Sequence, residues 1–383
     1  MEYKLLTTCA SCAAPIPYEA PQCKRCATRY CTSTCQHDHW RRGHKQICKK
    51  IHRGGNAEQY HADKKYKEAV AVAVEACADD TKGQTCYICT QALHWKTKEG
   101  LVRMCSCRGT SGFVHVSCLA EQAKILVAEG EENNVDNKAS DERWARWRNC
   151  RLCGQDYHGP VLLALSWSCW KTYLDRPETN FERGAALNAV GIALMNYPVN
   201  RWEEAIEVFK SVLDVSQRIG VHEVNLLATE NNIAECYAAL GSSVESLQRF
   251  RSMHARLESM NEPSDERVLF SAISLGDSLL DNGLFAEAKS FLRKNCSKAT
   301  RALGPNAYTT LRLRRIYALA LARDPNATRA AIVEASTVLE DAATRARRFL
   351  GPGNPMAGVI IENLEAVRAI LADPTTRHRR ELE

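Results

Sequence analysis

Seven cysteines and one histidine stand at regular spacings between positions 86 and 153, and their residue types suit metal binding. They form four close pairs, namely Cys86 with Cys89, Cys105 with Cys107, His115 with Cys118, and Cys150 with Cys153. Such pairs bind tetrahedral zinc, with zinc–sulfur bonds of about 2.3 Å. Eight ligands complete two tetrahedral shells and leave no position for water or substrate. The pattern therefore predicts two structural zinc ions and no catalytic one.

A second set of the same ligand types occupies the first 50 residues. Its pairs are Cys9 with Cys12, Cys23 with Cys26, Cys31 with Cys35, and His44 with Cys48. The four-residue step from His44 to Cys48 places both on one helix face, so we expect the nearby His37 and His39 to be surface residues. The two sets use all but four of the 18 cysteines. We expect the isolated remainder to be small buried apolar side chains: Cys77, Cys169, Cys236 and Cys296.

The ligand order of the later set, four Cys, one His and three Cys, occurs in the RING-CH fingers of ubiquitin ligases and in the PHD fingers that read histone tails. One residue separates Cys105 from Cys107 and seven separate Cys107 from His115, which resembles RING-CH. Arg148 stands where a PHD finger usually has an aromatic residue. The resemblance implies a cross-brace, with one zinc held by Cys86, Cys89, His115 and Cys118 and the other by Cys105, Cys107, Cys150 and Cys153.

The first set resembles the MYND finger, including Tyr30 before the third pair and the run of residues 39–45. That resemblance implies one zinc on Cys9, Cys12, Cys31 and Cys35 and another on Cys23, Cys26, His44 and Cys48. MYND fingers are mostly protein-binding modules that recognise proline-containing peptides. A finger this small buries little apolar surface, so bound zinc is predicted to hold it together.

Composition and charge limit the classes of partner. The net charge of +6 comes without a long block of one sign, which gives little support for nucleic acid as a partner. The basic residues between 41 and 53 could contact phosphates, or could simply form a solvated helix face. The N-terminus lacks the apolar segment of a signal peptide, which predicts an intracellular protein, cytoplasmic or nuclear and not secreted. The longest charge-free apolar stretch, 159–170, is shorter than the about 20 residues of a membrane span.

The sequence predicts the local structure of two segments near the fingers. Residues 66–78 are rich in alanine and valine and predict a helix that acts as a packed spacer. Its apolar face would carry Tyr66, Ala69, Val70, Ala73 and Cys77. The polar run 129–134 predicts a turn or mobile loop with helix on either side.

After the second finger a degenerate repeat with a period near 40 residues begins. Small or apolar residues recur at Ala205, Leu247, Ala288 and Ala335, and turn residues recur at Gly220, Asn261, Gly304 and Gly351. Such periods indicate stacked helix pairs. The pattern, with Trp202 and Phe285 opening second helices, resembles tetratricopeptide repeats of the longer kinesin-light-chain type. A HEAT or armadillo array is the alternative.

The sequence thus predicts a mainly α protein, in which two small zinc-stabilised cross-brace fingers precede an α-solenoid of helix-pair repeats. The expected segments are 1–53 MYND-type finger, 54–82 linker helix, 83–158 RING-CH-type finger, 159–180 connecting helix, 181–372 repeat array and 373–383 flexible tail.

Resemblance to RING-CH fingers implies a ubiquitin-protein ligase that holds a ubiquitin-charged conjugating enzyme in a reactive pose, without a catalytic residue of its own. Apolar groups between the ligands, Ile88 and Leu152, with Trp147 beside them, would contact that enzyme. The MYND finger and the repeats would recruit protein substrates. One alternative is a non-enzymatic scaffold that binds zinc and other proteins, and another is a PHD-like chromatin reader.

Overall fold

A computed structural model describes residues 9–14, 16, 20–105, 107–196, 198–349 and 355–372. Within these ranges the regular structure is helical, and the extended pairs are three isolated antiparallel bridges in the fingers. The mainly α prediction is confirmed. The chain divides into two compact units between Asn232 and Ile233.

The first unit contains both sets of metal-ligand residues and the helices that pack beside them. The helices are α1 Ser33–His39, α2 Lys45–Arg53, α3 Ala57–Ala76, α4 Val116–Glu132, α5 Asn137–Trp144, α6 Gly159–Tyr173, α7 Phe181–Met195 and α8 Trp202–Arg218. A π-helical turn, Trp40–His44, joins α1 to α2, and a 3-10 turn, Ala145–Trp147, follows α5. Helix α9, Glu223–Ala239, contains the division between the units.

Helix α3 is the predicted spacer, and it contacts both fingers. The Asn56 side chain caps it by accepting a 2.8 Å hydrogen bond from the Gln59 amide. All five residues of its predicted apolar face are buried, and the helix packs along α6. The Ala57 amide donates to the Cys26 carbonyl at 2.8 Å. At the other finger, the Tyr66 hydroxyl lies 3.0 Å from the Ser117 hydroxyl.

Helix α6 is apolar on nearly all sides, and α3, α4 and α7 pack around it, so most of its side chains are buried. It contains the apolar stretch 159–170. None of the described helices has the combined length and apolarity needed to cross a membrane.

The predicted loop at 129–134 is wrong for its first four residues, because α4 continues to Glu132. Gly130 is buried there, and a Cβ at this position would lie 2.8 Å from Cδ of Arg143. The absence of a side chain therefore lets α5 pack closely against α4. The turn begins only at Asn133, and Asn134 adopts a φ of +47°.

The second unit is built from helices that each pack against the next. They are α10 Ser243–Met260, α11 Glu266–Asp281, α12 Phe285–Ala302, α13 Tyr308–Ala322, α14 Arg329–Phe349 and α15 Pro355–Ala372. Helix α13 also contacts α11 and α15, so first and second helices of a pair form separate layers.

The repeat landmarks mark the second helix of each pair. Ala205, Leu247, Ala288 and Ala335 are all buried, and they lie on α8, α10, α12 and α14. Trp202 and Phe285 begin α8 and α12, as predicted. Gly220 and Gly304 close their units with φ of +73° and +87°, a conformation that favours glycine. Gly351 and the expected tail 373–383 lie outside the described residues.

Candidate metal centres

The four Cys-x2-Cys pairs all begin in the same turn. In each, the first cysteine's carbonyl accepts a hydrogen bond from the amide four residues later, at 2.8 to 2.9 Å. The residue that donates this amide has a left-handed backbone conformation in every case. These residues are Ala13, Ala27, Thr90 and Gly154, with φ of +61°, +57°, +62° and +70°. The turn is local, so the cysteine pairs are formed by nearby sequence alone.

Contacts between distant parts of the chain then bring the pairs together in four groups. Cluster 1 is Cys9, Cys12, Cys31 and Cys35; cluster 2 is Cys23, Cys26, His44 and Cys48; cluster 3 is Cys86, Cys89, His115 and Cys118; cluster 4 is Cys105, Cys107, Cys150 and Cys153. Within each cluster the possible ligand atoms lie within 4.8 Å of one another. These are the cross-brace groups that the two resemblances imply.

The distances between ligand atoms fit tetrahedral zinc. Bonds of about 2.3 Å to sulfur and 2.0 Å to nitrogen place two sulfurs about 3.8 Å apart and a sulfur and a nitrogen about 3.5 Å apart. Sulfur pairs in clusters 1, 2 and 4 lie at 3.6 Å (Cys12 to Cys31), 3.7 Å (Cys23 to Cys48) and 3.7 Å (Cys107 to Cys150). In cluster 3 the His115 Nδ1 lies 3.3 Å from the Cys89 sulfur. The donor sets and their spacing therefore suit zinc.

His115 is oriented by a hydrogen bond on the side away from its cluster. Its Nδ1 faces the sulfurs of Cys89 and Cys118, at 3.3 and 3.7 Å. Its Nε2 donates to the Ala92 carbonyl at 3.3 Å. This bond fixes the tautomer with a lone pair on Nδ1, which is the form that binds metal.

His44 reaches cluster 2 because the chain bends sharply just before it. Gly43, inside the π-helical turn that precedes α2, adopts a φ of +132°. The His44 Nε2 then lies 3.4 Å from the Cys26 sulfur. Burial, with a smaller contribution from His39, lowers the pKa of His44 to about 4, so the ring is neutral at pH 7.

His37 is exposed as expected, whereas His39 is partly buried and packs beside cluster 2. Its ring stacks on that of His44 with centroids 4.9 Å apart. Its Nδ1 lies 3.0 Å from the hydroxyl of the fully buried Tyr30. The prediction that His39 is a surface residue is therefore wrong. Its position in the sequence does not reveal that its ring stacks on the ring of His44.

Residues 94–98 form a turn with the same geometry as the Cys-x2-Cys turns, although they contain no cysteine. No spacing pattern in the sequence predicts this turn. The Lys98 amide donates to the His94 carbonyl at 2.9 Å, and Lys98 has a φ of +61°. The His94 Nδ1 accepts from the Thr97 amide at 3.1 Å, much as the Cys86 sulfur accepts from the Cys89 amide at 3.5 Å. His94 thus shapes the loop between the first two pairs without belonging to any of the four clusters.

Two of the three predicted contact residues are accessible. Ile88 is 37% exposed and Leu152 is 52% exposed. Trp147 is only 3% exposed, and its Nε1 donates to the Tyr173 hydroxyl at 3.2 Å. The expectation that Trp147 adds to a surface patch is therefore wrong, since the turn after α5 directs the indole toward α6.

Three of the four isolated cysteines, Cys77, Cys169 and Cys236, are buried as predicted. Cys296 is only partly buried. Burial raises its pKa to about 12, which keeps the thiol protonated and unreactive.

Two family models match the chain within the finger regions. The MYND finger matches residues 9–48, and the RING-variant domain matches residues 86–153. The chain therefore contains a MYND finger and a RING-variant zinc finger.

Similarity to complete proteins is more limited. The chain is 44% identical over 52 residues to ubiquitin carboxyl-terminal hydrolase 17 of Arabidopsis thaliana, a stretch covering 14% of this chain and 7% of that protein. Two solved structures of a putative kinesin light chain from Podosopora anserina, with nearly identical TPR-like repeats, each align with 61% of this chain and 97% of their own. Both have a TM-score of 0.38, and their identities to this chain are 18% and 16%.

Proposed function

We propose that the chain is a ubiquitin-protein ligase of the RING-CH type, with one structural zinc ion in each of its four clusters. The observation that carries this proposal is the match of residues 86–153 to the RING-variant domain, together with an exposed isoleucine between the first two ligands. When bound, zinc supplies crosslinks that hold the small fingers folded.

Ile88 is held in a fixed position by the turn that contains it. Its own amide lies 3.4 Å from the Cys86 sulfur, and the Thr90 amide closes the turn on the Cys86 carbonyl at 2.8 Å. Leu152 occupies the equivalent place in the turn from Cys150 to Gly154. Pre-positioned apolar anchors of this kind contribute strongly to small protein interfaces. In the proposed reaction both residues bind the conjugating enzyme, and the finger holds its thioester for attack.

The MYND finger and the helical repeats would recruit the protein to be modified. On the finger, Trp40 and Ile47 are 38% and 44% exposed among basic residues. Because this finger and the RING-variant finger both contact α3, a weakly bound substrate would stay near the site of transfer. Linked weak sites of this kind raise the overall affinity.

A self-ubiquitination assay with a panel of conjugating enzymes tests the ligase proposal. We expect the zinc-loaded chain to form ubiquitin conjugates with at least one enzyme. Ile88→Ala should reduce the rate by about tenfold or more, because it removes a central apolar anchor, while zinc content stays unchanged.

The matched control is Ile192→Ala, which truncates a similarly exposed isoleucine on α7, away from both fingers. It should leave self-ubiquitination unchanged. If the zinc-loaded chain is inactive with every enzyme, the ligase proposal is wrong, and the non-enzymatic scaffold becomes the better account of the same modules.

A further inference from the structure

A cavity of about 480 Å³ lies in the first unit, apart from the four clusters. Its wall combines Arg29 of the first finger, Glu58 in the first turn of α3, and residues of α7, α8 and α9 up to Asn232. Its volume falls in the range of natural ligand sites. No sequence motif marks it, because its parts are far apart in the chain.

A buried ion pair forms part of the cavity wall. The Arg183 Nη2 lies 3.2 Å from the Glu58 Oε1, and the two side chains are 10% and 15% exposed. Burial raises the pKa of the Glu58 carboxyl, while Arg183 and Arg29 oppose the rise. Asp175 acts on Glu58 more weakly than either arginine and does not line the cavity. Two guanidinium groups therefore face the Glu58 carboxylate at this end of the cavity. A second carboxylate, that of Glu178, also lines the cavity, and an ion pair with an arginine of α8 holds it at 2.9 Å.

Two buried polar atoms at the cavity have no hydrogen-bond partner among the described residues. They are the Nε of Arg183, a residue only 8% exposed, and the Oδ1 of Asn188. The Arg183 Nε is a donor that favours an anion, and the Asn188 Oδ1 can accept a hydrogen bond from an amide N–H. Buried polar groups in folded proteins are nearly always satisfied, so both atoms point to a ligand.

The rest of the wall is polar on one side and apolar on the other. Asn225, Thr229 and Asn232 line it at spacings of four and three residues, which places them on one stripe of α9. Val212, Val215 and Ile219 line it from α8. Side-chain amides both donate and accept, as a peptide backbone does.

We propose that this cavity binds an extended peptide segment of a partner protein. An acidic side chain of the segment would pair with Arg183 and Arg29, and a neighbouring apolar side chain would pack against α8. The stripe of two amides and one hydroxyl along α9 favours an extended chain over a compact small acid. This proposal builds on the proposed function, in which the partner would be a substrate, but its test needs no ubiquitin.

Panning a phage-displayed random hexapeptide library against the full zinc-loaded chain tests the proposal directly. Enriched peptides should carry Asp or Glu beside an apolar residue. Fluorescein-labelled copies should bind with a Kd that rises by about fivefold or more when the acidic residue is replaced by its amide.

Gly184→Phe is the blocking variant. Gly184 lines the cavity on α7, and a Cβ there would have no heavy atom within 4 Å. The phenyl group should fill the cavity and raise the Kd by about tenfold or more. Gly358→Phe makes the same change at another open helical glycine, on α15, and should leave the Kd unchanged. Zinc content and circular dichroism should match the wild type in both variants.

Equal binding by Gly184→Phe and the wild type would overturn the proposal, as would the absence of any enriched peptide. N-acetylglutamate that binds as tightly as the peptides would instead assign the cavity to a small acid. Specific peptide binding by a chain that fails to ubiquitinate would refute the ligase proposal and leave this one intact.

Discussion

The two histidine-containing clusters are enclosed, whereas the two all-cysteine clusters reach the surface. Every member of cluster 2 is buried, and in cluster 3 only Cys89 is partly exposed. In cluster 1 only Cys9 is buried, and in cluster 4 only Cys150. Each finger therefore combines one protected metal-binding group with one accessible group.

The enclosed clusters adjoin the long helix between the fingers. The Cys26 carbonyl of cluster 2 accepts from the first residue of α3, at 2.8 Å. Beside cluster 3, Ser117 lies 3.0 Å from the Tyr66 hydroxyl and bonds Glu99 through its amide and its hydroxyl. The enclosed clusters therefore fix the fingers to the helices, while the open clusters stabilise parts of the fingers nearer to solvent.

The largest expected effect is the loss of an enclosed cluster. His115→Ala should lose one zinc ion and unfold the RING-variant finger, since structural zinc contributes about 10–16 kcal/mol in finger peptides. Native mass spectrometry gives the zinc count, and near-ultraviolet circular dichroism reports the packing of the aromatic residues.

The matched control is His94→Ala, which removes a buried histidine whose ring centroid lies only 5.4 Å from that of His115. It should keep all four zinc ions. A variant at His94 that loses as much zinc as one at His115 would show that proximity matters and cluster membership does not.

A chelator should next reveal the order in which the clusters open. During a time course with EDTA and iodoacetamide, Cys12 and Cys107 should be alkylated before Cys26 and Cys86. The reason is that the open clusters already expose ligands to solvent. Peptide mapping by mass spectrometry measures each site. Simultaneous alkylation of all four cysteines would contradict the distinction between open and enclosed clusters.

The smallest expected effect comes from backbone strain at Gly43, where the chain bends just before His44 of cluster 2. Gly43→Ala meets no steric obstacle but forces alanine to a φ of +132°. This should destabilise the MYND finger by about 1–3 kcal/mol. Chelator competition should detect weaker zinc retention. The control is Gly184→Ala, at an open helical position, which should not weaken zinc retention. Equal zinc retention in Gly43→Ala and the wild type would contradict the strain argument.

The sequence predicted the metal-binding groups and the helix pairs because both depend on short, regular spacing. A Cys-x2-Cys turn is closed by its own backbone, and the face of α3 follows from the helical period. The repeat landmarks fell on buried helix positions for the same reason, since each helix pair repeats the same packing.

The features that sequence reasoning missed depend on contacts between distant residues. Arg183 and Glu58 are 125 positions apart, so no local pattern could place them in one cavity. Trp147 faces inward because α6 lies behind it. At Gly130 the helix continues through a glycine because Arg143 occupies the space of its side chain.

Helix α3 also acts as a spacer of fixed length. Its 20 residues make it about 30 Å long, and it packs along α6. The first finger contacts its start through Cys26, and the second contacts its end, where the Arg103 amide donates to the Cys77 sulfur at 3.4 Å. Under the proposed function, a substrate bound at the MYND finger is held a set distance from the charged conjugating enzyme. Lysines at that distance along the substrate's surface would then be ubiquitinated in preference to nearer or farther ones, so the length of one helix would select the site of modification.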